Sequence, residues 1–358
     1  MQASGRAAHF PFRIRLNSMP PSKRPNLKAL ADSVGLSVTT VSRALKDGPE
    51  VQPSTIARVK KAAEALGYIP NLQGRALRTG RSGMITAMLP LEAHSPLADL
   101  AKMPLIEGMT RAAHGRGYTL SIQSTGPDED PLESLRRLVQ SGSSDGVVIT
   151  RMLPRDPRIA FLKKANMPFV TFGRSDMSEP HAFVDIDNEA LVSQAVALLA
   201  SRGRRRLGLQ LLSRQDQASS RRRSAFISAL EEAGLPYDPA LVSVEHFTAS
   251  DSERFVSERL DADDPLDGWI SAHELGALGA LNAIRKRGLT LERNLDIVSR
   301  DSTGLCDYLD ARMHVQHIDM VRVGEELVCA LLERILQPNA TLASVLITAR
   351  LAMAGLNT

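Results

Sequence analysis

The chain has 358 residues, 43% of them hydrophobic and 23% charged, with a formal net charge of +4 and two cysteines. That length is a prior for two or three domains, and the composition suits ordinary globular cores. No uninterrupted apolar run reaches membrane-spanning length, and the opening MQASGRAAHFPFRIRLNS lacks the long apolar core of a secretory signal. Cys306 and Cys329 sit in no CxxC or Cys/His cluster. They read as reduced, structural thiols of a cytoplasmic protein, and no metal site or cofactor is expected. The net charge hides an asymmetry. Met1 to Gly80 carries 13 Lys and Arg against 4 Asp and Glu, a net of +9, and the remainder has a net of −5. A basic head on an acidic body is the footprint of a nucleic-acid-binding module attached to something else, or of a solvated basic arm.

In chain order, residues 1–21 show no helical or strand period and are expected to be a disordered extension, with Met1 and Met19 both available as starts. NLKALADSVG reads as a short helix capped by Asn26, with Leu27, Leu30, Ala31 and Val34 on one face. Gly35 permits a tight left-handed exit. Ser37 caps a second helix in which Val41 and Leu45 point inward. A third helix, PSTIARVKKAAEALG, supplies Ile56, Val59, Ala63 and Leu66. Helix, glycine turn and capped helix make a helix-turn-helix within an all-α domain over 22–70. The second helix exposes Thr39, Thr40, Ser42 and Arg43, short hydroxyls and a cation suited to phosphates and base edges.

The stretch LKALADSVGLSVTTVSRALKDGPEVQPSTIARVKKAAEALGYIPN resembles the N-terminal domain of the lactose-repressor (LacI/GalR) family of bacterial transcription regulators. Its first helix, G-x-S-x-x-T-V-S-R, V-x-x-x-T and closing L-G-Y-x-P-N occur in order. The resemblance implies base reading by Val38 and Thr39, with Arg43 one turn later and Ser37, Thr40, Ser42 and Thr55 toward phosphates. It also implies that 71–80, NLQGRALRTG, is a hinge helix that enters the minor groove. There Leu77 would wedge into the central base step, and Asn71, Arg75 and Arg78 would complete the DNA contacts. Gly74 departs from the family's alanine and costs about 1 kcal/mol of helix propensity, so this hinge should be reluctant to fold without DNA.

From about Ser82 apolar runs alternate with helical stretches: GMITAMLP, YTLSIQST, DGVVIT, MPFVTF, HAFVDI, RRLGLQLL, LVSVEHF, LDGWISA and LDIVSRD. Strands separated by helices of ten or more residues imply doubly wound parallel sheets. There are too many strands for one compact sheet, so residues 81–358 read as an α/β core of two lobes, with ligand binding expected between them. The resemblance implies the same two-lobed, periplasmic-binding-protein-like core. It divides the lobes as about 83–183 plus 316–343 and about 184–315 plus 344–358, the latter ending in the strand SVLITARL.

By resemblance, Arg222 in SRRRSAF and Asp301 in IVSRD are the aligned cleft arginine and aspartate; solvation at a basic helix start and a loop cap are their respective alternatives. Thr150 after DGVVI, Arg174 after MPFVTF, and His273 where the family often has asparagine complete the effector candidates. Aromatics are only 4% of the chain, which weakens a sugar-stacking pocket; Phe172 and Phe161 are candidates, each more ordinarily core. The cluster Arg202–Arg206 reads as a helix end, where cations oppose the dipole.

No phosphate loop, GxSxG elbow or catalytic carboxylate pair is present, so an enzyme is not expected. The expectation is a repressor that binds a palindromic double-stranded operator as a homodimer and answers to a small-molecule effector, a sugar or derivative, with no membrane partner. The effector would change the angle between the lobes and so the hinges. No leucine heptads follow SVLITARL, which favours a dimer over a coiled-coil tetramer. The alternative is a soluble sugar-binding protein of a transport system, opposed by the helix-turn-helix.

Overall fold

The computed structural model describes residues 25–45, 47–68, 81–91, 100, 102–126, 129–244 and 248–355. The expected extension over 1–21 and the hinge over 71–80, with Asn71, Gly74, Arg75, Leu77 and Arg78, lie outside the described residues. The chain forms two compact units, Met1–Arg78 and Thr79–Thr358.

The first unit holds α1 (Leu27–Val34), α2 (Val38–Ala44) and α3 (Pro53–Ala65). Asn26 Oδ1 accepts the Ala29 amide at 2.9 Å, satisfying one of the free N–H groups that open α1. Gly35 ends the helix at φ 64°, ψ 33°, a left-handed conformation that a Cβ disfavours. Ser37 Oγ then accepts the Thr40 amide at 3.0 Å to start α2. Leu30, Ala31, Val41, Ala44, Val59 and Ala63 are buried together, with Leu27, Val34, Leu45 and Ile56 packed partly against them. Leu66 departs from expectation: it lies just past the end of α3, is 40% exposed, and Tyr68 packs against the core in its stead.

The second unit opens with β1 (Met84–Met88), α4 (Met103–His114), β2 (Thr119–Gln123), α5 (Pro131–Ser141), β3 (Val147–Ile149), α6 (Pro157–Lys164), β4 (Phe169–Phe172) and β5 (Phe183–Ile186). It continues through α7 (Asn188–Ser201), β6 (Leu207–Leu211), α8 (Gln217–Glu232), β7 (Val242–Val244), α9 (Ala249–Leu260), β8 (Gly268–Ser271), α10 (Glu274–Lys286), β9 (Asp296–Asp301) and β10 (His314–His317). It closes with α11 (Met320–Leu336), β11 (Ser344–Ile347) and β12 (Arg350–Met353). Two six-stranded sheets result, ordered β11-β5-β4-β3-β1-β2 and β12-β10-β9-β8-β6-β7. Every pairing is parallel except β10 with β12.

Successive strand residues serve opposite faces, so each sheet is covered twice. In the first, Val148 joins α4 and α11 on one side, while Val147 and Ile149 join α5 and α6 on the other. In the second, α7 and α8 meet Leu209 and Val298 on one face, and α9 and α10 meet Trp269 and Ile297 on the other. Two glycines set the closest helix crossing. A Cβ on Gly108 of α4 would stand 1.9 Å from the Val321 carbonyl oxygen, and one on Gly324 of α11 would stand 2.3 Å from that of Leu105.

Three segments fall differently from the expected lobes. Phe183–Ile186 belongs to the first sheet, because it pairs with β4 on one side and with β11 on the other. The boundary near 183 therefore moves past Ile186. SVLITARL is not one strand of the second lobe: Ser344–Ile347 pairs with β5, and Arg350–Met353 turns antiparallel onto β10. Gln316 and His317, expected in the first lobe, pair with Arg300 and Asp301 of β9 in the second sheet. No helix among the described residues is long and apolar enough to cross a membrane.

Candidate functional site: recognition helix and interlobe cavity

On α2, Ser37 and Thr40 are engaged with each other, their hydroxyls 2.8 Å apart. Val38 is 43% exposed, and Thr39 and Arg43 are exposed beside it, whereas Thr40 and Ser42 are half-buried. Arg43 Nε rests 3.3 Å from Glu50 Oε1 in an ion pair open to solvent on both sides. Such a pair contributes little to stability. Thr55, half-buried, lies in the first turn of α3. The helix thus shows solvent an apolar β-branched side chain, a hydroxyl and a guanidinium.

Between the two sheets lies a cavity of about 700 Å³, at the carboxyl ends of the strands. The first lobe contributes the turns after β3 (Thr150, Arg151, Met152) and β4 (Phe172, Gly173, Arg174), with Asp185 of β5. The second contributes Asp216, Ser219 and Arg222 from the start of α8, His273 and Glu274 from the start of α10, and Arg300 of β9. Asn188, at the first position of α7, also faces in.

Thr150, Arg174, Arg222 and His273 all line this cavity. Thr150 Oγ1 donates to the Met88 carbonyl at 3.1 Å. Arg174 donates to Asp185 at 2.8 Å and to Glu189 at 2.6 Å. Burial opposes its charge, but the two carboxylates outweigh burial and hold its pKa above the ordinary arginine value. His273 caps α10, its Nδ1 accepting the Gly276 amide at 3.2 Å. A ring nitrogen that accepts a hydrogen bond carries no proton, so this bond fixes the tautomer. Arg222 is 6% exposed, and its Nε donates to Asn188 Oδ1 at 2.7 Å. Burial, then the nearby charge of Arg300, bring its pKa down to about 10.

Asp301 does not line the cavity. It is 2% exposed, and its carboxylate accepts the amides of Thr303 at 3.0 Å, Gly304 at 2.9 Å and Cys306 at 3.3 Å. Along a strand, neighbours face opposite ways. Asp301 therefore ties the following loop while Arg300 turns to the cavity, which makes the arginine the residue that motif matching passed over. Burial, reinforced by Glu274, raises the Asp301 pKa. Phe172 lines the cavity, but Phe161 packs with Met152 under Arg136, whose guanidinium carbon is 5.4 Å from the ring centre.

One further arrangement supports the first-lobe wall. Arg158 of α6 donates to both oxygens of Asp156, at 2.9 and 2.7 Å, and to the carbonyls of Thr150 and Arg151. Asp156 is fully buried, and although burial opposes its charge, Arg158 holds its pKa below the ordinary value. The Arg202–Arg206 cluster is structural: Arg202 and Arg204 both bind Asp296, and Arg206 pairs with Asp238 and Asp264. Burial pushes the Cys306 thiol up, so it is inert. No group of metal-ligating side chains occurs among the described residues.

Comparison with known proteins places these surfaces. Residues 26–71 match the bacterial regulatory proteins of the lacI family, and 196–353 match a periplasmic binding protein-like domain. The chain is 35% identical over 277 residues to the HTH-type transcriptional regulator AglR of Rhizobium meliloti (strain 1021), covering 77% of each chain. Among solved structures, a transcriptional regulator CelR–cellobiose complex superposes with a TM-score of 0.68 at 25% identity, over 92% of this chain and 99% of that one. A lac repressor dimer bound to operator and an anti-inducer shares the fold, with a TM-score of 0.78 at 20% identity over 92% and 99%. A helix-turn-helix unit, a two-lobed core and relatives that regulate transcription lead to one conclusion: this chain belongs to the LacI family of bacterial regulatory proteins and is a DNA-binding transcription regulator, not an enzyme.

Proposed function

We propose that the protein is a cytoplasmic repressor that binds a two-fold operator as a homodimer and is controlled by a carbohydrate effector held in the interlobe cavity. The observation that carries the reading is that cavity, a largely apolar chamber at the strand ends into which a few polar groups converge, a buried arginine among them. Its size falls within the ordinary range for small-molecule sites. The operator and dimer are argued by likeness to the lac repressor dimer, and the carbohydrate by likeness to the CelR–cellobiose complex.

In this reading, 22–70 bind the major groove through Val38, Thr39 and Arg43, with Ser37, Thr40, Ser42 and Thr55 on the phosphate side. Residues 71–80 form the hinge, with Asn71, Arg75, Leu77 and Arg78 at the DNA, and 81–358 bind effector and pair the protomers. Thr150, Arg174, Arg222 and His273 meet the effector, and Asp301 acts one step behind them by fixing the loop that follows Arg300.

The test joins a gel shift on the DNA upstream of its own gene to a thermal-shift screen with sugars and polyols. Retarded DNA, released or tightened by a sugar that also raises the melting temperature, is the expected result. Specific binding with no response to any small molecule would remove the effector half of the reading. Changing Thr39 should alter preference at particular half-site positions by about 1–3 kcal/mol, while changing Thr55 should weaken all sites alike. Sedimentation should give a dimer.

A further inference from the structure

We propose that the interlobe cavity takes an effector bearing an acidic oxygen group, a carboxylate or a phosphate, clasped between the guanidinium groups of Arg222 and Arg300. The carbohydrate part of this effector rests on the reading above; the acidic part rests on the cavity itself.

Two groups of arginines in the core unit contrast. Arg158, Arg174, Arg202, Arg204, Arg206 and Arg221 each lie within an ion pair, at 2.6 to 3.4 Å from a carboxylate oxygen. Arg222 and Arg300 do not, although both line the cavity. Arg222 is buried and bonds through Nε to the neutral Asn188 alone, which leaves its terminal nitrogens to the cavity. Arg300 is half-buried, and its Nε is buried with no acceptor. Both line one cavity, and burial, then the charge of Arg300, lowers Arg222.

Carboxylates do stand nearby, but each is committed elsewhere. Asp216 accepts the Ser219 amide at 2.6 Å, and Asp185 accepts from Arg174. Glu274 accepts the Ser302 amide at 2.5 Å and the Thr303 hydroxyl at 3.2 Å, and Asp301 holds three loop amides. A buried cation beside a half-buried one, neither directly ion-paired, is costly. The carboxylates favour both charges from a distance, Asp216 and Asp185 at Arg222 and Glu274 and Asp301 at Arg300, but none is ion-paired with either guanidinium, and a neutral sugar adds only hydroxyls. A carboxylate or phosphate presents two oxygens to a planar fork and answers both cations at once. An acidic sugar would therefore meet the charge with its acid and polar lining groups such as Thr150, Asn188 and Ser219 with its hydroxyls.

The experiment is calorimetry on the full chain with matched sets: glucose, glucuronate and glucose 6-phosphate; cellobiose and cellobionate; and citrate and glycerol 3-phosphate as acids without a sugar ring. An acidic member binding at least about tenfold tighter than its neutral parent is expected. Arg300→Gln should erase that preference, and Arg300→Lys should retain part of it. If the variants fold poorly, raising salt about tenfold with the unaltered protein should weaken the acid and spare the neutral sugar. Preference for carboxylate or for phosphate names the acid. A neutral sugar bound as tightly as its acid overturns this inference and leaves the carbohydrate reading standing. Binding of citrate or glycerol 3-phosphate with no carbohydrate bound in either form supports the acid-binding site and overturns the carbohydrate. Binding of none of these probes overturns both.

Discussion

The two walls of the interlobe cavity use the same residue type to opposite ends. On the first-lobe wall, Arg158 fills its fork with Asp156 and two carbonyls, and Arg174 is held by Asp185 and Glu189. On the second-lobe wall, Arg222 has only an amide oxygen and Arg300 has no acceptor at Nε. A saturated arginine is part of the architecture, and its removal should harm folding. An unsaturated arginine adds little to the ligand-free protein and should matter when something binds.

The largest effect that could break this contrast is at Asp156. Asp156→Ala strands the buried Arg158 charge and should cost about 3–5 kcal/mol in urea unfolding, with the turn bearing Thr150 and Arg151 loosened. Asp185→Ala should cost less, about 1.5–3 kcal/mol, because Arg174 keeps Glu189. Arg300→Met should fall within about 1 kcal/mol of the unaltered protein, in either direction, while the preference for an acidic ligand is lost. A loss at Arg300 as large as that at Asp156 would mean that both walls are structural and the contrast is false.

The smallest effect is with pH. Burial, then the charge of Lys163, depress the His181 pKa, and burial, then Arg202, depress that of His314. A depressed folded pKa means that the unfolded chain binds more protons. Stability from these two groups is thus complete above the unfolded value, about 6.5, and is lost as pH falls through the folded values. A melting temperature that declines below about pH 6.5, and declines less in His181→Phe, is the expected result. A rise on acidification would reverse the assignment.

The helix-turn-helix was legible because its signals are local: a cap at Asn26, a positive-φ glycine at 35, a cap at Ser37 and apolar spacing between them. Alternating strands and helices likewise disclosed the two doubly wound sheets. The boundaries between lobes were not legible, because sheet membership depends on pairings between segments more than 150 residues apart, as Phe183 with Ser344 shows. One apolar run, SVLITARL, serves two sheets, and periodicity has no means of marking the change. In the cavity, motif matching led to Asp301 and passed over Arg300. The two are adjacent in sequence and face opposite ways, so a one-residue choice decides between a loop tie and a ligand group.

The return of the chain to its first sheet also governs how the protein can be made. β1 begins at Met84, yet β11, the edge strand beside β5, ends at Ile347, and α11, crossing α4 at Gly108 and Gly324, ends at Leu336. During synthesis the first lobe must wait for roughly 260 residues, about 13–50 s at ordinary elongation rates, with the apolar face destined for α11 uncovered. The second sheet opens only at Leu207 and lacks one strand, β12, when β10 ends at His317, so its own wait is shorter. The lobe begun first therefore waits longest between its first strand and its last, from Met84 to Ile347.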